Sequence, residues 1–293
     1  MIKSVTATNS RGESLVISLT NPATSGFAIK ELDGLGPGDA DILITDYACM
    51  DGGSFNWARR PKRNITLTLY YWPRENETIE QVRNRGYKIF RVKDKVNLKI
   101  ETDSRTVQSD LYIESHEPHI FEKLAYVDIS LVAPDPSLYA IDWDVTSFNE
   151  DVKRFSFAFS NTVGQKQLIF GDSSTGATQI VNNQGDNEIG GQFTIYAGGA
   201  VSGITLINVQ TNQTMTIDAT FQAGDYIVLD TRPKHKSCLL YRGSTVYDCL
   251  SCLGQWVDWM TFEQGENVVA FSATSGASST SVRCNLLPSY EGI

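Results

Sequence analysis

Gly224-Asp-Tyr-Ile-Val-Leu-Asp-Thr231 sets the pattern for the last third of this chain: a Gly-Asp turn handing over at once to a short β-branched run. The pattern returns in Val181-Asn-Asn-Gln-Gly-Asp-Asn-Glu-Ile189 and in Gly265-Glu-Asn-Val-Val-Ala-Phe271, and the chain closes on Leu287-Pro-Ser-Tyr-Glu-Gly-Ile293. Glycine turns the backbone cheaply, and the β-branched residues that follow favour an extended chain. Short strands separated by Gly, Asn and Ser turns, without helical periodicity, predict a β-sandwich. No nucleophile, paired acid and base, or phosphate loop accompanies them, so the pattern suits holding shape or binding, not catalysis.

The first half reads differently. Ile65-Thr-Leu-Thr-Leu-Tyr-Tyr71 alternates on a period of two and is the clearest strand, and Val96–Glu101, Asp110–Glu114 and Tyr126–Val132 follow suit. Thr78 with Gln81 forms a capping box, and Ile79, Val82 and Ile89-Phe90 make an apolar stripe, so one helix is expected despite Gly86. Residues 1–20 alternate with Leu15, Ile17 and Leu19 on one face, which predicts a strand or hairpin arm. Pro134 and Pro136 end the strand pattern, placing a boundary between a domain at 1–138 and another at 139–293. Ser272–Ser281 is expected to be a hairpin loop between the last two strands.

Charge and cysteine content narrow the function classes. The net charge is −9, unevenly divided: residues 1–140 carry 17 Lys+Arg against 19 Asp+Glu, and residues 141–293 carry 8 against 15. Such a chain lacks the basic face that sequence-independent nucleic-acid binding requires. No apolar run approaches the ~20 residues of a membrane-spanning helix, and the start has no signal-peptide core. Five cysteines, Cys49, Cys238, Cys249, Cys252 and Cys284, without a secretion signal, predict reduced thiols in a cytosolic product. Cys249-Leu-Ser-Cys252 has half the spacing of a zinc site, but Cys238 and Cys284 do not form the other half, so thiols are expected there and no metal.

The histidines, His116, His119 and His235, have no partners in sequence that would make a Cys–His hydrolase. His116-Glu-Pro-His119 is expected between two strands. Asp258 stands between Trp256 and Trp259, which offers a carboxylate beside aromatic platforms and leaves carbohydrate contact open, with Tyr241 as a further stacking residue. Core packing of one tryptophan is the alternative. Arg59-Arg-Pro-Lys-Arg63 is a basic cluster just before the clearest strand, suited to pairing with a neighbouring subunit's carboxylates or to a solvated loop.

The succession Asn183-Gln-Gly-Asp186, Gly224-Asp-Tyr-Ile-Val-Leu-Asp230, Gly265-Glu-Asn-Val268 and Pro288-Ser-Tyr-Glu-Gly292 resembles the distal tail proteins of long-tailed, siphophage-type bacteriophages. Asp51-Gly-Gly-Ser-Phe55 and Ala133-Pro-Asp-Pro-Ser-Leu-Tyr139 extend the resemblance over nearly the whole chain. It implies a mainly β chain: a tail-tube-like N-terminal β-barrel or two-sheet domain with one helix, then a galectin-like β-sandwich. It also implies a baseplate hub whose N-terminal domains form a homo-hexameric ring between the tail tube and tape-measure end above and the hub, fibre or receptor-binding proteins below. DNA would pass the lumen without specific binding, in a virion tail assembled in the host cytoplasm, with no catalytic residue, cofactor or membrane contact. The alternative is a carbohydrate-binding host-recognition module, although the His…Asn-Pro-Arg and Trp-x-x-Glu pattern of galectins is missing. Arg59, Arg60, Lys62, Arg63, Leu35 and Pro37, with the arm at 1–20, are the expected inter-subunit contacts. Deleting residues 1–12 is then expected to leave monomers.

Overall fold

A computed structural model of the chain describes residues 1–153, 171–175, 178–254 and 257–293. It divides into two compact units, Met1–Ile141 with Ser289–Ile293, and Asp142–Pro288. The first break, between Ile141 and Asp142, follows Pro134 and Pro136, and the last five residues return to the first unit, which no local pattern announces.

The first unit contains β1 (Ile2–Asn9), β2 (Ser14–Ser18), β3 (Phe27–Asp33), β4 (Asp41–Asp46), β5 (Gly53–Arg59), β6 (Arg63–Tyr71), α1 (Ile79–Ile89), β7 (Lys95–Thr102), β8 (Thr106–His119), β9 (Tyr126–Ala133) and β10 (Leu138–Ala140). Seven of these form an antiparallel path in the order β2-β1-β7-β8-β9-β6-β3. The long β8 serves both halves of the path. Its first part pairs with β7 and its second part with β9, with a register shift between Ile113 and Ser115. His116 and His119 therefore lie on β8 itself and not between strands. Pro118 is accommodated opposite Val127 near the strand's end, where few ladder bonds remain to lose.

The alternation read from sequence becomes burial. Val5, Ala7, Leu15, Ile17, Leu67, Leu69, Leu98, Ile100, Ile129 and Leu131 share one core. α1 starts at Thr78, whose hydroxyl accepts from the Gln81 amide while the Gln81 side chain accepts from the Thr78 amide. Gly86 has a packing reason: a Cβ there would stand 3.3 Å from Cζ of Phe27, so the helix approaches that ring closely only without a side chain. Residues 1–20 are not a free arm. β1 lies between β2 and β7 with Val5 and Ala7 fully buried, so deleting residues 1–12 would remove an internal strand and could not report on assembly.

The second unit contains β11 (Asp144–Ser147), β12 (Asn149–Lys153), β13 (Gly171–Thr175), β14 (Thr178–Asn183), β15 (Ile189–Ala197), β16 (Val201–Asn208), β17 (Gln213–Phe221), β18 (Tyr226–Asp230), β19 (Ser237–Arg242), β20 (Thr245–Asp248), β21 (Thr261–Phe262), β22 (Gly265–Ser275) and β23 (Thr280–Leu286). One sheet runs β11-β23-β15-β18-β19-β20 and another β14-β22-β16-β17. Phe193, Ile227, Leu229 and Val282 from the first meet Leu206, Met215, Ile217 and Phe271 from the second in a single core. That is a β-sandwich. The quoted turns are where glycine is needed: Gly224 has φ +90° and Gly265 has φ +89°.

Ser272–Ser281 is not a hairpin loop. β22 runs on to Ser275 and β23 starts at Thr280, and the two belong to different sheets, so the short link crosses the sandwich. Gly276 makes the corner with φ +76°, and a Cβ there would come within 2.2 Å of the Ala200 carbonyl oxygen. Ser, Thr and Ala can serve an edge of a strand as well as a loop, which is why composition misplaced the end. The chain finishes with β24 (Ser289–Tyr290), which pairs with β10.

Candidate functional site

The basic cluster at 59–63 is divided by the fold. Arg63 is only 5% exposed. Its Nε donates to the Pro136 carbonyl (2.6 Å), Nη1 to those of Gly34 (2.9 Å) and Gly36 (2.8 Å), and Nη2 to that of Glu291 (2.6 Å). Burial lowers the guanidinium's pKa from its ordinary value, with the neighbouring Arg60 acting in the same direction. Leu35 is buried in the same unit's core. Both were expected at a subunit contact, and both are instead committed to the interior of their own unit. The alternation that starts β6 places Arg63 on the inward face with Ile65 and Leu67. Arg60 reaches Glu291 at 3.5 Å, Arg59 pairs with Asp41 at 3.2 Å, and Lys62 and Pro37 are exposed.

The residues expected to contact carbohydrate do not converge. Trp256 lies outside the described residues. Asp258 is exposed, whereas Trp259 packs partly against the second core with Lys236 Nζ 5.1 Å from its ring. Lys236 precedes β19 and Tyr241 stands near that strand's other end, so about 17 Å of extended chain separates Lys236 from Tyr241. Tyr241 instead belongs to a row that the sequence reading missed. Tyr196, Tyr226 and Tyr241 are register partners on β15, β18 and β19, with ring centroids 5.5 Å and 4.5 Å apart. Only the pairing register could reveal it. Tyr196 also borders a cleft of about 650 Å³ with Ser147, Ser281 and Arg283.

Of the cysteines, Cys49, Cys238 and Cys284 are free thiols as expected, and Cys249 and Cys252 are not. Cys249 and Cys252 are bonded to each other, because the 3-10 turn Leu250–Cys252 brings their Cα atoms to 5.1 Å. Cys238 and Cys284 are core side chains; burial pushes the Cys238 thiol up to about 11 and raises that of Cys284 further. Among the described residues no cluster of His, Cys, Asp and Glu could hold a metal ion. His116 Nδ1 lies 3.0 Å from the Phe90 carbonyl, and burial lowers its pKa; His119 Nε2 lies 3.1 Å from Asp128.

The turns that carry the family resemblance are held by buried asparagines. Asn183, 1% exposed, accepts from the Gly185 amide and donates to the Asn187 and Phe262 carbonyls. Asn267 accepts from the Glu263 amide and donates to the Glu263 and Gly265 carbonyls. These side chains satisfy backbone groups that a tight buried turn would otherwise orphan. Residues 184–284, which start just after Asn183 and include Asn267, match the family model of the siphovirus-type tail component, C-terminal domain. The match lies within the second unit. The resemblance read from the turns therefore holds.

Among solved structures the chain is similar to the SPP1 Dit protein, described as a paradigm of the hub adsorption apparatus in phages infecting Gram-positive hosts. The TM-score is 0.64 at 13% identity, over 97% of this chain and 99% of that one. It is also similar to chains of the phage p2 baseplate in its activated conformation, with strontium (TM-score 0.45, 14% identity, 97% of each chain) and with calcium (TM-score 0.47, 14% identity, 97% and 98%). No curated protein matches the sequence. At such identity the likeness to SPP1 Dit concerns the fold, which is mainly β across both units.

Proposed function

We propose that this chain is a structural baseplate hub subunit at the distal end of a siphophage-type tail. Six copies close a ring that joins the tail tube to the tail-tip, fibre or receptor-binding proteins and leaves a lumen for the genome. The observation that carries this reading is the fold likeness to a hub protein along nearly the whole chain, with the tail-component domain matched within it. Physical reasoning adds support. The seven-strand path of the first unit ends on β2 and β3, whose outer edges carry unpaired backbone groups. Head-to-tail contact between copies covers such edges without leaving an open end. A net charge of −9 suits a lumen past which DNA slides without sticking. The reading assigns no catalytic residue, metal or cofactor, and it places assembly in the host cytoplasm, next to the tube and tape-measure end. Light scattering of the pure protein at several concentrations tests the ring: a species near six times 32.4 kDa, stable on dilution, is expected. A strict monomer at every concentration would sink a self-assembling ring.

The tyrosine row favours a second reading, in which the sandwich contacts host saccharide. Stacked phenol rings beside a cleft bearing Ser281 and Arg283 offer an aromatic face and hydroxyl-directed donors. Glycan-array binding that disappears in Tyr241→Ala is the expected result. An array blank for the unaltered protein would retire this reading.

A further inference from the structure

The bonded pair Cys249 and Cys252 sits where the two sheets of the second unit are tied together. β20 ends the path of one sheet and β17 the path of the other. Cys249 carries the β19–β20 ladder on by one residue, its amide donating to the Cys238 carbonyl at 2.8 Å. Directly after Cys252, Leu253 forms a bridge with Ile217 on β17, and the Gly254 amide donates to the Thr216 carbonyl at 3.0 Å. The approach is close, since a Cβ on Gly254 would stand 2.3 Å from Thr216 Oγ1. The disulfide therefore closes the crossing between the two sheet edges.

The bond can be reached from one side. Cys249 is 4% exposed and belongs to the core, whereas Cys252 is partly exposed beside the exposed Leu250 and Ser251. The other thiols of this unit, Cys238 and Cys284, are fully buried. A reducing cytoplasm keeps thiols free, and disulfides persist outside it. Assembly in the host cytoplasm and a bonded pair thus belong to different stages. We propose that Cys249 and Cys252 form a redox switch, a dithiol while the tail is built and a disulfide once the virion has left the cell, which fastens the two sheet edges after assembly. The inference rests on the cytoplasmic assembly proposed above. Reduction enters at Cys252. A small-molecule thiolate attacks the Cys252 sulfur, the bond to Cys249 breaks, and Cys249 leaves with the electron pair and takes a proton. A second thiolate attacks the small molecule's own sulfur in the mixed disulfide, forming the small-molecule disulfide and releasing Cys252, which takes a proton in turn. Oxidation by glutathione disulfide runs the same steps backwards.

The test uses the full chain carrying Cys49→Ser, which removes the exposed thiol of the first unit. Bacterial cells expressing it, quenched in acid and alkylated under denaturing conditions, should yield protein labelled at Cys238, Cys249, Cys252 and Cys284. After treatment with glutathione disulfide, only Cys238 and Cys284 should take the label. Hydrogen exchange at the Leu253 and Gly254 amides should be about tenfold faster in the dithiol form, with β15 unchanged. Single variants read the route: with glutathione disulfide, Cys249→Ser should carry glutathione on Cys252, and Cys252→Ser should carry none on Cys249. A pair already bonded in quenched cells, labelling of every cysteine after oxidation, or equal exchange in the two forms overturns the switch. Glutathione on Cys249 overturns entry at Cys252. Light scattering reads the ring separately, so a strict monomer would retire the ring without altering the labelling or the exchange.

Discussion

Arg63→Ala is expected to destabilise the first unit by about 3–5 kcal/mol, the scale for stripping a buried charged group from its partners. The side chain sits on the inner face of β6 and donates to four carbonyls from three separate stretches of chain: Gly34 and Gly36, Pro136, and Glu291. Alanine leaves those oxygens facing a void, and each buried carbonyl without a donor costs about 1–3 kcal/mol unless water reaches it. Arg63→Lys should fall between, because an ammonium keeps the charge but cannot spread its donors over all four acceptors in the planar fork that arginine provides. Urea denaturation followed by circular dichroism measures both. A loss under about 1 kcal/mol for Arg63→Ala would mean that water replaces the guanidinium and that the clamp is dispensable.

Phe193→Ala is expected to cost the second unit about 3–5 kcal/mol. Phe193 is fully buried on β15, and its ring lies 6.0 Å from that of Phe262. Beyond the two rings, a Cβ on Gly191 would stand 2.8 Å from Phe262 Cε2, so the site is already tight and can relax little around a cavity. Phe193→Leu, nearer in volume, should lose under about 1.5 kcal/mol. Scanning calorimetry checks the pair, and equal losses for alanine and leucine would deny that the cavity sets the cost.

Local chemistry made much of this fold legible. Period-two alternation found β6, β7 and β9, because a strand with one buried face must alternate. Thr78 and Gln81 located the helix start, since capping is a contact among neighbours in sequence. The Gly-Asp and Gly-Glu turns pointed to the sandwich and to the tail-component family together. Errors arose where a residue's role depends on distant chain. Arg63 in a run of cations reads as surface, and only the approach of Gly34, Pro136 and Glu291 makes it a buried clamp. Residues 1–20 read as a strand or hairpin arm for contact with another subunit, and the pairing of β7 with β1 makes β1 an internal strand. Cys249 and Cys252 read as thiols until a tight turn brings them together.

The amino-acid sequence by itself determined the strand periodicity, the helix start, the turns and the resemblance to a tail family, because each depends on residues within a few positions of one another. Tertiary structure alone decided the tyrosine row, the return of β24 to the first unit and the interior place of Arg63. Those depend on sheet register and on long-range pairing, and a shift of one residue in register would turn every side chain concerned to the opposite face.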